Sequence, residues 1–433
     1  MYKYVGADHW TRTTVFDLAR WKNGLAFKNI NFSSSGRPVI KIAELKSGIT
    51  NQTKFTDGQY DKRVFVRKGD MLFSWSGNPD TSINVFRWGG PEGWLNQHIY
   101  KITPHDGIDE DFLFFLLRWL RPRFAEIARN KQTTGLGHVT LQDFKNMMVG
   151  RPEMEEQRAI ASCLCPLQDK ININVQTNET LERMALSFFK DWFVEFGPTR
   201  AKAEGQARYL AAEFWDLFPD SLDDADKPVG WGERPVYAIA DYVNGAAYKS
   251  MHFTPDREGL PVIKIAELKS GVTANTKFTT TDLGGKYLID TEEILFSWSG
   301  NPDTSIDTFI WDDGPAWLNQ HIFRVRKNGN ASRPFIYFQL RQLKPIFSEI
   351  ARNKQTTGLG HVTARDMKEL MVSDPPQAIA EAFDGLAGPL FQRIVSNLLE
   401  NRTLAGTLDL LLPKFMSGDI RLRDAEKAVE AVA

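Results

Sequence analysis

The sequence has few of the features that mark secreted, membrane or metal-binding proteins. Its only cysteines, Cys163 and Cys165, lie two residues apart within a helical pattern, so they point to different faces and form neither a disulfide nor a metal cage. No apolar run reaches the roughly 18 residues of a membrane-spanning helix. The N-terminal stretch lacks the charged and apolar regions of a signal peptide. We therefore predict a cytoplasmic protein with reduced cysteines and no membrane partner.

Motifs for nucleotide binding and catalysis are also missing. GxGxxG, a P-loop, GxSxG and HExxH do not occur, so we predict no ATP, methyl-donor or metal site in this chain. A Glu-x-Lys followed by a Pro-Asp occurs twice, as Glu44-x-Lys46 with Pro79-Asp80 and as Glu267-x-Lys269 with Pro302-Asp303. This order is the reverse of the metal-dependent nuclease signature that it resembles. We assign no catalytic residue, and a free-standing tandem nuclease or hydrolase remains the alternative function.

The chain does contain a long internal duplication. The fifteen residues Glu126–Thr140, EIARNKQTTGLGHVT, return unchanged at Glu349–Thr363, a displacement of 223. PVIKIAELKSG, LFSWSGNPDTSI and WLNQHI recur at the same displacement, whereas upstream of Pro261 the displacement is 221. Stacked repeats have periods of about 20 to 50 residues, and 433 residues exceed what one core comfortably holds. The repeated unit is therefore predicted to be a whole domain.

Each copy is predicted to be a mostly-β domain that closes with helices. PVIKIAEL, LFSWSG and WLNQHI have the composition and alternation of strands, with Gly, Asn, Pro and Asp between them. Asp111–Arg129 and Pro334–Arg352 instead have apolar residues at three- and four-residue steps, interrupted by one proline each, which predicts a helix or a kinked helical pair. The KQTTGLG core of the identical block is predicted to be an exposed loop with unusual backbone angles.

A long heptad pattern follows each copy. Glu156–Trp192 and Gln377–Phe415 have apolar residues on alternating four- and three-residue steps, and both contain asparagine at the same two central steps. Two such helices in one chain are predicted to form an intramolecular coiled coil whose asparagines fix the register. The alternative is two unrelated amphipathic helices, each lying on its own domain.

These patterns divide the chain into six segments. They predict a first domain at 1–152, a central helix at 153–195, a linker at 196–229, a second domain at 230–375, a distal helix at 376–417 and a tail at 418–433.

Charge differs between the two copies. Residues 1–150 contain 21 Lys and Arg against 14 Asp and Glu, a net +7, whereas residues 230–374 balance at 17 against 17. The basic first copy is compatible with a nucleic-acid partner, but the neutral second copy makes charge alone a weak argument. The 12 tryptophans keep a tandem module for another ligand, such as a glycan, as a third possibility.

The identical block contains the side-chain types that contact DNA grooves. Arg and Lys suit phosphate or guanine, Asn and Gln suit adenine edges, Thr suits backbone oxygens, and glycine permits close approach. The candidates are Arg129, Asn130, Lys131, Gln132, Thr133, Thr134, Gly135, Gly137 and His138 in the first copy, and Arg352, Asn353, Lys354, Gln355, Thr356, Thr357, Gly358, Gly360 and His361 in the second. Lys41, Lys46, Lys264 and Lys269 are further candidates for phosphate contacts. The alternative is a solvated loop in which His138 caps its own backbone.

Several motifs, in their order, resemble the specificity subunits of type I DNA restriction-modification systems over nearly the whole chain. They are LFSWSG and LNQHI in each copy, EEQRAIAS and NETLERMALSFFKDWFVEF in the first helix region, and LLPKFMSGDIRL near the end. The resemblance implies an α+β fold in which two target-recognition domains are separated by two long helices that form an antiparallel coiled coil. It also implies double-stranded DNA, DNA adenine methyltransferase subunits and restriction/translocase subunits as partners, with S-adenosylmethionine and ATP bound by those partners.

The resemblance and the duplication carry different expectations for individual residues. SWSGN and NQH resemble stretches common to the family, so we predict Trp75 and Trp298 to be core residues. Family members usually have two dissimilar recognition domains, whereas this chain repeats one. We therefore expect a target that is a split inverted repeat, unless bases are read by the segments that differ between the copies, which are 56–71 against 279–294 and 84–93 against 307–316.

Overall fold

The computed structural model describes residues 4–132, 136–329, 331–355 and 359–420. It divides into two compact units, which we call unit 1 (Met1–Asp169 with Leu404–Ala433) and unit 2 (Lys170–Thr403). Each unit combines one copy of the duplication with parts of both long helices. Of the predicted tail at 418–433, residues 421–433 lie outside the described residues.

Unit 1 contains two four-stranded sheets and two strand pairs. Its strands are β1 (Thr11–Thr14), β2 (Ala19–Asn23), β3 (Arg37–Ile40), β4 (Phe55–Thr56), β5 (Phe65–Val66), β6 (Met71–Ser74), β7 (Ser76–Gly77), β8 (Asn84–Arg87), β9 (Gly93–Leu95), β10 (Ile99–Pro104), β11 (Gly137–His138) and β12 (Met148–Arg151). One sheet is antiparallel with the order β2-β10-β6-β8, and the other has the order β4-β3-β9-β5 with β3 and β9 parallel. β1 pairs with β12, and β7 pairs with β11.

The helices of unit 1 pack against its sheets. They are α1 (Ile42–Ser47), α2 (Glu110–Trp119), α3 (Arg121–Asn130), α4 (Leu141–Asn146) and the beginning of α5 (Met154–Phe193). α1 lies beside β3, and the others lie in the core of the antiparallel sheet. The predicted helical pair is α2 and α3, which meet at Leu120, with Pro122 in the first turn of α3 where a missing N–H costs nothing. Phe73, Phe112 and Phe124 are fully buried between sheet and helices, and such aromatic contacts supply much of the burial free energy.

Unit 2 repeats this arrangement. Its strands are β13 (Gly232–Pro235), β14 (Ala240–Asn244), β15 (Leu260–Ile263), β16 (Phe278–Thr279), β17 (Leu288–Ile289), β18 (Ile294–Ser297), β19 (Ser299–Gly300), β20 (Asp307–Ile310), β21 (Ala316–Leu318), β22 (Ile322–Lys327), β23 (Gly360–His361) and β24 (Met371–Asp374). The helices are α6 (Gly197–Ala203) and α7 (Ala212–Trp215) in the linker, then α8 (Ile265–Ser270), α9 (Arg333–Gln342), α10 (Lys344–Asn353), α11 (Ala364–Glu369) and α12 (Gln377–Ser417). The part of α5 from Lys170 onward also belongs to unit 2, whereas the part of α12 from Leu404 onward belongs to unit 1. The sheets have the orders β14-β22-β18-β20 and β16-β15-β21-β17.

Within unit 2, α5 and α12 run antiparallel and meet through their asparagines. Asn174 Nδ2 donates to Asn401 Oδ1 at 2.9 Å, and Asn397 Nδ2 donates to Asn178 Oδ1 at 2.8 Å. Asn174 and Asn397 are almost fully buried. The two contacts are equivalent under the 223-residue displacement, so this part of the helix pair has a local two-fold axis.

The predicted α+β fold with long paired helices is therefore confirmed, but the predicted apolar seam is partly wrong. Phe188, Leu390 and Leu411, which occupy apolar steps of the heptad pattern, are only half-buried, whereas the residues that follow them, Phe189, Phe391 and Leu412, are buried. Each long helix packs against the β-rich domains as well as against the other helix. The buried face of each helix is therefore wider than the seam of a coiled coil. No helix within the described residues is long and apolar enough to cross a bilayer.

Candidate nucleic-acid interface

The identical block begins as a helix and ends as a strand. Arg129 and Asn130 form the last turn of α3, and the backbone N–H of Gln132 donates to the carbonyl of Arg129 at 3.1 Å, which extends the turn. Arg352, Asn353 and Gln355 occupy the same places at the end of α10. All of these side chains are exposed. Thr133, Thr134, Gly135, Thr356, Thr357 and Gly358 lie outside the described residues.

Gly137 and Gly360 are not part of an exposed loop, so that part of the loop prediction is wrong. Each is buried in a two-residue strand, β11 or β23, that pairs with the SG dipeptide of the SWSG motif. A Cβ on Gly137 would lie 2.2 Å from the carbonyl oxygen of Ala128. This glycine therefore allows the strand to approach α3. His138 and His361 are half-buried in the same strands.

The lysine of the block forms an ion pair with a buried helix-capping carboxylate. Lys131 Nζ lies 2.6 Å from Asp143, which is 4% exposed and also accepts hydrogen bonds from the backbone N–H and the hydroxyl of Thr140. Burial alone would raise the pKa of Asp143, but the hydrogen bonds from Lys131 and Thr140 hold it below its ordinary value. Lys354, Asp366 and Thr363 repeat the arrangement in unit 2.

The arginine of the block is paired with the loop after the SWSG motif. Arg129 Nη2 donates to Asp80 in unit 1, and Arg352 Nη2 donates to Asp303 at 2.7 Å in unit 2. Asn78 holds this loop in shape because its Oδ1 accepts from the backbone N–H groups of Asp80 and Thr81. Asp80 and Asp303 therefore position cations.

The Glu-x-Lys motif likewise has a structural role. Glu44 is buried and its Oε2 accepts from the backbone N–H of Lys41 at 3.0 Å, which caps α1. Glu267 caps α8 in the same way through Lys264. No group of three or more acidic, His or Cys residues that could hold a metal occurs among the described residues.

The four candidate lysines outside the identical block occupy equivalent places in the two units. Lys41 lies over the ring of Phe32 at 4.9 Å, and Lys264 lies over Phe253 at 5.1 Å. Lys46 Nζ donates to Ser82 at 3.3 Å, beside the Asp80 loop. Burial and then the charge of Arg121 lower the pKa of Lys46, and burial also lowers that of Lys269. An anion bound beside these lysines would counter both effects.

The amides of the block have the greatest freedom to contact another molecule. The side chains of Asn130, Gln132, Asn353 and Gln355 are exposed and make no hydrogen bond to another described residue. Each unit thus presents two amides beside two cations that already hold carboxylates. Amides in this position can hydrogen-bond base edges, and the cations can exchange a carboxylate for a phosphate.

The tryptophans of the SWSG motifs are half-buried, which corrects their prediction as core residues. Trp75 packs against the core of unit 1 and stacks on Tyr100, with ring centroids 5.6 Å apart. Its Nε1 donates to Asn23 at 2.9 Å, and Trp298 donates to Asn244 at the same distance. The indole N–H needs an acceptor, so this ring stays at the edge of the core. Sequence analysis did not identify Arg121, which donates to the backbone carbonyl of Asp80, because the two residues are 41 positions apart in the chain.

Comparison with known proteins identifies the family. The model of the type I restriction modification DNA specificity domain matches residues 7–183 and again 228–387, one match for each copy. The chain belongs to this family.

Curated type I specificity proteins match nearly end to end. The type I restriction enzyme MjaIX specificity subunit of Methanocaldococcus jannaschii is 26% identical and aligns over 89% of this chain and 90% of its own length. The HindI specificity subunit of Haemophilus influenzae is 24% identical over 91% of this chain and 95% of its own. The crystal structure of a type I S subunit from M. genitalium is 16% identical and covers 94% of this chain and 96% of that chain, with a TM-score of 0.49.

Proposed function

We propose that this chain is the DNA-specificity subunit of a type I restriction-modification complex, and that each copy reads one half of a split target. The family match over both copies supports DNA specificity. The observation that carries the half-site assignment is the identical block, which presents the same exposed amides and the same paired cations in each unit. Amide hydrogen bonds to base edges carry sequence information, whereas cation contacts to phosphates set position.

Both halves of the target are the same sequence on opposite strands. The reading residues are identical in the two copies, and antiparallel helices of matching sequence are related by a two-fold axis, as the paired asparagines show locally in unit 2. Proteins with two-fold symmetry bind inverted repeats. This arrangement distinguishes the chain from specificity subunits with two dissimilar recognition domains.

Catalysis in this proposal belongs to partner proteins. The chain has no motif for a methyl donor or ATP. DNA adenine methyltransferase subunits that dock on the long helices would carry S-adenosylmethionine, and restriction/translocase subunits would carry ATP, all in the cytoplasm.

A binding selection from randomised duplexes tests the proposal. Full-length protein with its methyltransferase subunits, without divalent metal, is expected to enrich a few specified base pairs, an unspecified gap, and the same base pairs inverted. Two unrelated half-sites would show that the unlike segments choose bases. A head-to-tail repeat would contradict the two-fold axis.

The same purified chain distinguishes the alternative function. No duplex cleavage is expected when magnesium is added to this chain alone. Cleavage that is lost on substitution of Glu44 and Glu267 would instead support the tandem nuclease.

A further inference from the structure

Unit 1 contains a cleft of about 470 Å³, lined by both polar and apolar residues, that the proposed function leaves unexplained; of the residues discussed for the nucleic-acid interface, only Arg121 lines it. It lies between the start of β8, the junction of α2 with α3, and the end of α12. Its lining includes Asn84, Phe114, Arg118, Arg121, Asp409 and Leu412. The apolar walls and two guanidinium groups suit an occupant with both apolar and anionic parts.

The two arginines in this cleft lack a carboxylate at ion-pair distance among the described residues. Arg118 donates to the side-chain oxygen of Gln168, and Arg121 donates to the backbone carbonyl of Asp80 at 2.6 Å. Burial lowers the pKa of Arg118, and Asp409 only partly opposes that effect while Arg121 adds to it. A partly buried cation without close compensation favours the binding of an anion.

Unit 2 shows which anion this position accepts. There Arg341 is bonded to both Glu182 and Asp307, Lys344 is bonded to Asp307, and the hydroxyl of Tyr337 donates to Glu182 at 2.9 Å. Burial would lower the pKa of Arg341, but these neighbours raise it above its ordinary value. Two carboxylates thus balance two cations in this unit.

The displacement of 223 shows what unit 1 is missing. Arg341 and Lys344 correspond to Arg118 and Arg121, whereas Asp307 corresponds to Asn84, and Glu182 corresponds to Ala405 on α12. Both carboxylates of the unit 2 network are therefore absent from the equivalent places in unit 1. Asp409 lies one helical turn beyond Ala405 and supplies a single negative charge to a cleft with two positive ones.

We propose that the unit 1 cleft binds an aspartate or glutamate side chain of the methyltransferase subunit. This inference rests on the proposed function, since it takes the methyltransferase as partner. A protein occupant fits better than a DNA phosphate because the unit 2 anion is a carboxylate held beside a tyrosine, and because Phe114 and Leu412 line the unit 1 cleft with apolar surface. Only unit 1 has this site, so one of two docked methyltransferases makes a contact that the other lacks.

The test rebuilds the unit 2 network inside unit 1. The double variant Asn84→Asp with Ala405→Glu supplies both missing carboxylates, and we expect binding of one methyltransferase copy to weaken about tenfold, which corresponds to the loss of one charge-assisted contact. Ala405→Gln is the matched control, since it fills similar volume without charge and should change the affinity much less. Ala405→Glu alone is a second variant that should act in the same direction.

Methyltransferase binding by titration calorimetry and target DNA binding by fluorescence anisotropy are measured for each full-length variant, with thermal unfolding as a check on folding. Weaker methyltransferase binding with unchanged DNA affinity supports the site. Weaker DNA binding with unchanged methyltransferase binding would assign the cleft to a phosphate and overturn it, as would no change in either. A parent protein that binds the target but no methyltransferase would overturn the proposed partner as well, whereas a parent that binds neither would refute the function itself.

Discussion

At the scale of single residues, the sequence identifies candidate chemistry but not its pairing. The amide and cation types of the identical block could be recognised from the sequence, because those side chains match the donors and acceptors of DNA. The ion pairs of these cations could not be predicted from the sequence. Lys131 contacts Asp143 over 12 residues, and Arg129 contacts Asp80 over 49, so both depend on how the helices pack. The buried strand at Gly137 was missed for the same reason.

The exposed glutamines give a first prediction. We expect Gln132→Ala with Gln355→Ala to weaken specific DNA binding by about 1–3 kcal/mol per lost base contact and to relax base choice, because an amide reads a base edge. Binding is measured against the selected target and a scrambled duplex. Gln176→Ala, an exposed amide on α5, is the control; equal losses in all variants, or none in the double variant, would exclude these glutamines as readers.

The helix-capping carboxylates Asp143 and Asp366 give a prediction about pH. The folded-state pKa values of Asp143 and Asp366 are lowered, so the stability they contribute is present above their unfolded pKa of about 3.9 and is lost as pH falls through the folded values. We expect Lys131→Ala with Lys354→Ala to lower stability near pH 7 by about 0.5–1 kcal/mol per pair, since each lysine is partly exposed. The difference should disappear in acid.

Thermal unfolding of parent and variant at pH 7 and at a pH below the lowered pKa values of Asp143 and Asp366 measures this effect. Arg365→Ala provides a control, because its partner Glu369 is exposed, and that variant should match the parent at both pH values. A difference that persists unchanged in acid would contradict the assigned role of the two aspartates.

At the scale of elements, periodicity predicted the long helices well and the short strands poorly. The predicted spans Glu156–Trp192 and Gln377–Phe415 lie within α5 and α12 and differ from their ends by at most two residues. A long heptad pattern contains many apolar positions that all indicate the same helix. Two-residue strands such as β7 and β11 are too short to show a periodic pattern, because they form only by pairing with a partner strand. The heptad pattern predicts only the residues at the helix–helix contact. It could not predict the additional helix residues that are buried against the sheets.

The central asparagines give a prediction for this helix pair. We expect Asn397→Ala to destabilise the protein by about 1–3 kcal/mol, because it removes a buried amide and leaves Oδ1 of the half-buried Asn178 without its donor. The symmetric change Asn174→Ala should cost a similar amount. Thermal unfolding measures the loss, and Gln176→Ala should remain close to the parent. Similar unfolding temperatures in all three variants would show that the asparagines do not stabilise the helix pair.

Replacing both partners of one pair by leucine should have the opposite effect. We expect Asn178→Leu with Asn397→Leu to raise the unfolding temperature while it permits other registers or intermolecular pairing, because polar residues in a seam specify register at a cost in stability. Light scattering would detect the additional oligomers. A more stable variant that stays a single species would show that register is fixed elsewhere.

At the scale of the whole molecule, the duplication and the family were evident from the sequence, but the makeup of the compact units was not. The core of unit 1 includes Leu408, Leu412 and Phe415 from the far end of the chain. Chain order alone cannot show this, since it depends on which helix segment packs on which domain. The cleft of unit 1 could not be predicted from the sequence either. The absence of a carboxylate at Asn84 and Ala405 is significant only because of the cations beside those positions, and the fold alone shows which residues those are.

Helix length gives a prediction about the gap in the target. An insertion of one heptad into both α5 and α12 adds about 10 Å of helix, so the unspecified gap should lengthen by about three base pairs, at roughly 3.4 Å each. Selection from randomised duplexes measures the gap in parent and variant. Insertion into one helix only is the control, and it should impair binding because the asparagines no longer face each other. An unchanged gap after the paired insertion would reject the spacer role.

In the proposed function, the ion pairs at Arg129, Lys131, Arg352 and Lys354 would have a further consequence for how the protein finds its target. A phosphate must displace a carboxylate before it can hold one of these cations, so random DNA gains less from them than from free lysines. Fewer small ions are then released on binding, and nonspecific affinity and its salt dependence fall together. In a genome with millions of competing sites, weak attachment to wrong sequence leaves more of the protein free to reach the right one.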